Sequence, residues 1–205
     1  AEEMPNDKKK TGTFTVTTKV GSTVAGTDTF TFNMLPSDKV APIISEFTPN
    51  PLSDNATVQN WGELVKGKSR LGYTAKYSGV NGATITKAVI SFAGVSGENE
   101  TPLLNKVGVF APKLTVTDSR GVSASREAAL LTVREYFSPI MDSSSAFRCD
   151  ETGEKDEEGS FVGVTADATI ASVDGRNSLT LQARYRINNG SWNGPVTLEE
   201  GKVNI

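Results

Sequence analysis

Asp150, Glu151, Asp156 and Glu158 fall within one short stretch. Carboxylates gathered on a bent loop can supply oxygens to a hard cation such as calcium, which takes about six to eight. The spacing does not match an EF-hand loop, and Lys155 sits among the acids. The stretch reads as a solvated hairpin loop, with no metal expected. Cys149 stands immediately before it and is the chain's single cysteine. It can form no internal disulfide, which speaks against a disulfide-stapled secreted module. The sequence contains no histidine. That removes the commonest general base, the commonest zinc ligand and every Ser-His or Cys-His pairing. Cys149 therefore reads as a small buried apolar residue at a strand end. No catalytic set and no cofactor are implied, and no enzyme activity is expected.

Two further patterns resemble chemistry but have structural readings. In Asp118-Ser119-Arg120-Gly121 the carboxylate can bond the backbone two residues on, the glycine supplies a positive φ, and Arg120 can pair with a nearby acid. Asp174-Gly175-Arg176 is a similar turn. The residues best suited to hold a ligand are Trp61 and Trp192, beside Gly62 and Asn193-Gly194. An indole face packs on the C–H face of a sugar ring, and the competing role is filling a core or capping the end of a sandwich.

The elements that position these residues are short strands and turns. Residues 13–20 and 28–34 alternate as the arms of a hairpin, with a turn over 21–26 and Phe30, Phe32 and Met34 on one face. A lone hairpin is marginally stable, so it reads as the closing strands of an earlier sandwich. A Pro-marked linker at 35–42 follows. Strands are expected at 71–77, 85–92, 110–117 and 124–133, with an interruption at Pro49-Asn50-Pro51. A helix at 126–131 competes with the last strand on propensity, but the tight turn before it and Thr132-Val133 after it favour strand. Leu71, Tyr73, Ile85, Val89, Leu114 and Val116 are the expected core. Further strands lie near 146–149, 160–170, 178–187 and 195–198.

Pro42 and Pro139 begin similar segments roughly 100 residues apart, about the length of one immunoglobulin-type sandwich. The expected fold class is therefore all-β, as tandem immunoglobulin-like or fibronectin-III-like β-sandwich domains. A partial sandwich and linker occupy 1–40, a complete one 41–136, and a third, lacking its closing strands, 137–205. At 205 residues the chain suits one or two domains by length. The formal net charge of −3, with no basic stripe beyond Lys8-Lys9-Lys10, argues against nucleic acid as a partner. No apolar run is long enough to span a membrane. The first residues lack the basic and apolar regions of a signal peptide. Export without one, a precursor segment outside this sequence, or assembly inside a cell would each account for that.

Segments 61–71, 82–85, 116–121 and 148–162 together resemble, in order and spacing, a family of siphophage and prophage tail proteins of unknown function from Gram-positive hosts. They carry Trp61-Gly62-Glu63-Leu64, Gly82-Ala83-Thr84-Ile85, Val116-Thr117-Asp118-Ser119-Arg120-Gly121 and Arg148-Cys149-Asp150 leading to Gly159-Ser160-Phe161-Val162. The resemblance spans roughly 13–205. It implies strings of immunoglobulin-like domains near the tail tip, with Arg148, Cys149 and Asp150 as framework positions and no catalytic residue to carry over. The expected function is a non-catalytic virion module that spaces or mediates attachment to the host surface. Other tail proteins and host cell-wall glycan are the expected partners. The expected location is the virion tail, assembled in the host cytoplasm and extracellular after release. The alternatives are a bacterial surface adhesin with immunoglobulin-like repeats and an accessory carbohydrate-binding module of a wall hydrolase.

Overall fold

The computed structural model describes residues 6–37, 40–199 and 202–204. The polar start at 1–5 and the linker positions Asp38 and Lys39 lie outside the described residues. The chain is all-β, with one short helix among the described residues. Among the described residues, no helix is long and apolar enough to cross a membrane. It divides into two units, Ala1–Val133 and Arg134–Ile205.

The first unit opens with β1 (Lys10–Val20) and β2 (Thr23–Met34), an antiparallel hairpin. The turn is tighter than the sequence suggests. Gly21-Ser22 suffices, with Gly21 at φ 61°, a conformation that costs glycine little. Period-two alternation sorts the side chains into two contrasting faces. Phe14 opposes Phe30 and stacks on Phe32 at 4.8 Å between ring centroids. On the other face Thr13 opposes Thr31, Thr15 opposes Thr29 and Thr17 opposes Thr27.

Next, β3 (Ile43–Leu52) runs straight through Pro49 and Pro51, where the sequence suggests an interruption. A spacing of two turns both proline nitrogens the same way, off the ladder, so the missing N–H groups cost no pairing. Then α1 (Ala56–Trp61) forms between two caps. The Asn55 carboxamide oxygen accepts from Val58 N at 3.1 Å, and Gly62 ends the helix in the left-handed conformation at φ 69°. After β4 (Leu64–Val65), β5 (Arg70–Ser78) pairs antiparallel with β3. The remaining strands of this unit are β6 (Ile85–Phe92), β7 (Val95–Gly97), β8 (Gly108–Phe110), β9 (Lys113–Asp118), β10 (Ser123–Glu127) and β11 (Leu131–Arg134). They form sheets of order β10-β9-β6-β7 and β4-β11-β8.

Two strands that the sequence suggests are continuous are each broken between sheets. Residues 110–117 divide at Ala111-Pro112, because proline has no N–H for the ladder. Residues 124–133 divide at 128–130, so that β10 pairs with β9 and β11 with β8. Ala128 N donates to Pro112 O at 2.9 Å and joins the two breaks.

Side chains from the sheets after the β1–β2 hairpin meet in one core. Leu71, Ile90, Leu104, Leu114, Val116 and Val133 are fully buried, with Tyr73, Ile85 and Ala88 packed against them. Val89, expected in the core, does not point into it. A register shift between Ile85 and Lys87 changes the parity of β6. Ile85 still points inward, but beyond the shift Ala88, Ile90 and Phe92 do so, and Val89 lies half-buried on the opposite face.

The second unit contains β12 (Ile140–Cys149), β13 (Phe161–Thr169), β14 (Gln182–Tyr185), β15 (Asn193–Thr197) and β16 (Lys202–Asn204). One sheet has the order β12-β13-β16, and β14 pairs with β15. The strand expected over 178–187 is shorter, and β16 was not anticipated. Asn177 closes the loop that leads toward β14. Its side chain accepts from Val173 N at 2.8 Å and donates to Ala171 O at 2.7 Å, holding the preceding loop to itself rather than to a ladder. The buried apolar residues of this unit are few among those described: Cys149, Ala171, Val173 and Leu198.

Candidate functional site

A concave surface in the second unit is built around Trp192. The chain leaves β14 at Tyr185, turns over Ile187–Gly190 with Gly190 N donating to Ile187 O at 3.0 Å, and returns into β15 at Asn193. Tyr185 opposes Asn193, so the next residues outward, Arg186 and Trp192, meet across the hairpin. The Arg186 guanidinium carbon lies 5.0 Å from the indole centroid, a cation–π arrangement. Trp192 remains 61% exposed. The ring forms one side of a cleft of about 630 Å³. Phe161, Val162 and Val164 of β13 supply apolar lining, and Ser160, Arg184, Tyr185, Arg186 and Ile187 complete it.

Trp61 is the last residue of α1, half-buried, and belongs to the first unit. Trp192 is the one with an open cleft beside its ring.

The acidic stretch is organised by its own backbone. Asp150 Oδ1 accepts from Thr152 N, Thr152 Oγ1 and Glu154 N at 2.8, 2.7 and 3.0 Å. These bonds, led by the Thr152 hydroxyl, hold the Asp150 carboxyl below the usual carboxylate range. Asp156 Oδ1 similarly accepts from Glu158 N at 2.9 Å. Among the described residues no group of three or more acidic or cysteine side chains converges in a way that could hold a metal ion. Cys149 is fully buried at the end of β12, opposite Phe161. Arg148 donates to Glu157 O at 3.0 Å and ties the loop to the strand.

The Asp118–Gly121 turn is a buried ion pair. Asp118 Oδ2 accepts from Arg120 Nε and Nη2 at 3.0 and 2.7 Å, while Oδ1 accepts from the Arg120 and Val122 backbone at 3.0 Å each. Both side chains are fully buried. Burial alone would raise the Asp118 pKa, but the Arg120 and backbone hydrogen bonds outweigh it, and the net direction is downward. Arg120 Nη2 also donates to Val40 O at 2.6 Å, fastening the chain leading into β3. In the second unit, Asp174 and Gly175 have positive φ, as a turn requires, and Asp174 pairs with Arg134 at 2.9 Å. Both patterns are structural.

Arg184, Tyr185, Arg186 and Phe161 were not singled out in the sequence as site residues. A signal was present. Arg186 and Trp192 lie equidistant from Asn189 in the turn sequence Asn188-Asn189-Gly190, which places them opposite each other once the hairpin closes. Phe161 gave no such signal, because β13 is distant in sequence and reaches the cleft only through tertiary packing.

No curated protein shows a significant match to the chain. Residues 1–189 match the family described as siphovirus protein of unknown function (DUF859). The chain belongs to that family.

Proposed function

We propose that this siphovirus protein is a non-catalytic tail module that contacts host cell-surface glycan through the Trp192 cleft. In this reading its sheets are immunoglobulin-like sandwiches, the protein lies near the tail tip, and its neighbours are other tail proteins. The observation that carries the proposal is the 61% exposure of Trp192 beside an apolar-lined cleft. An indole held open at the end of a β-scaffold suits packing against a sugar's C–H face. The absence of histidine from the sequence is consistent with a binding role.

The test is retention of the purified chain on isolated cell walls of a bacterium that the virus infects. Trp192→Ala is expected to reduce retention by about tenfold, on the order of the 1.4 kcal/mol that one good stacking contact supplies. Trp61→Phe is expected to leave retention unchanged. Equal retention of the wild-type chain and the Trp192→Ala variant would reject the cleft as the contact. The better account would then be a spacer between the tail and a binding domain elsewhere.

A further inference from the structure

Resting on the glycan reading of the Trp192 cleft, we infer that the ligand is an anionic saccharide, with its charged group held by Arg184 and Arg186 while the indole carries a sugar ring. Arg184 lies in β14 and Arg186 is the first residue beyond it. Both line the cleft and both are exposed. Most other arginines of the chain are engaged. Arg120 is paired with Asp118, Arg134 with Asp174, and Arg70 with Asp54 and Glu100. Arg126 and Arg148 donate to backbone carbonyls. Among the described residues, no oxygen is paired with the guanidinium of Arg184 or Arg186.

The described lining contains no carboxylate and no carboxamide. Neutral sugars are commonly gripped by such groups, because vicinal hydroxyls need acceptors as well as donors. Two guanidinium groups offer donors only, in a planar fork that matches a phosphate or carboxylate, and beside them the described lining has as side-chain acceptors only the hydroxyls of Ser160 and Tyr185. The apolar lining from Phe161 and Val162 lowers the local polarity and strengthens that attraction. Arg186 has a second role, since its contact with Trp192 orients the indole. A bound anion and a stacked ring are therefore recognised by adjacent groups. A nucleic acid also offers charge and stacking faces, but the overall charge of −3 and the lack of a basic stripe favour the saccharide.

The test measures binding of the full chain to glucose, glucose 6-phosphate and glucuronate by saturation-transfer NMR, at low and at physiological salt. The charged sugars are expected to bind about tenfold tighter than glucose, the gain of one charge-assisted hydrogen bond over a neutral one. That gain should shrink as salt rises. Arg184→Gln with Arg186→Gln should erase the difference between charged and neutral sugars. Trp192→Ala should weaken all three. The relative affinities of glucose 6-phosphate and glucuronate tell whether phosphate or carboxylate is preferred. Equal binding of glucose and the charged sugars, undisturbed by the arginine changes, would overturn the anionic assignment and leave the glycan reading standing. Failure of every sugar to bind, together with wall retention unaffected by Trp192→Ala, would overturn both. Tighter binding of a single-stranded oligonucleotide than of either charged sugar would overturn the assignment in favour of nucleic acid.

Discussion

Asp118 and Arg120 are both fully buried, and each satisfies the other's charge. Removing one partner of such a pair leaves an uncompensated charge away from water, which typically costs about 3–5 kcal/mol. Asp118→Ala is therefore expected to lower stability by that order in urea unfolding, and to loosen the segment that Arg120 fastens at Val40. The pair also sets a pH dependence. The folded-state pKa of Asp118 lies below its ordinary value, so its stabilising contribution is present above about pH 4 and is lost as pH falls through the folded value. Acid titration of the melting temperature should show that loss in the wild-type chain and a shallower one in Asp118→Asn.

The loop over 150–159 behaves as one element because Asp150 holds it closed. Its carboxylate oxygen is committed to Thr152 and Glu154, and Gly159 fits only without a side chain. A Cβ at Gly159 would come within 2.0 Å of the Cys149 carbonyl oxygen. Gly159→Ala is expected to destabilise the second unit by about 1–3 kcal/mol, the usual cost of forcing extra volume into a filled space. Millimolar calcium is expected to leave the melting temperature unchanged. A ligand of the native state alone would raise it by RT ln(1 + [L]/Kd), so a clear rise would show that the loop holds a cation.

At the scale of the molecule, the two units differ in how much apolar surface each buries. The first has a connected core from Phe47 to Val133, and the second has a handful of buried residues while Ile140, Met141 and Ile187 stay more than half exposed. Each buried aliphatic side chain contributes about 1.5–3 kcal/mol, so the unit with fewer of them opens at lower free energy. Hydrogen exchange followed by mass spectrometry is expected to show longer protection for β6 and β9 than for β12 and β13. Equal protection would mean that the second unit gains its stability from something other than its own core.

The sequence by itself determined the all-β class, since period-two alternation and turn residues are local properties read without knowledge of partners. It also identified the hairpin at the start, the turn chemistry of Asp118–Gly121 and the buried strand-end position of Cys149. Leu71, Leu114 and Val116 were legible as core because their strands keep one parity throughout. Val89 was not, because a one-residue shift in β6 exists only in relation to β9. Asn55 and Gly62 carried a helix signal at residues 55–62 that strand-rich surroundings obscured. Trp192 could be named from its residue type, but its exposure could not, and nor could the cleft that it shares with β13. Alternation along a strand says which side chains lie together on a face. Whether that face meets another sheet or solvent depends on contacts between residues far apart in the chain, and these only the tertiary structure decided.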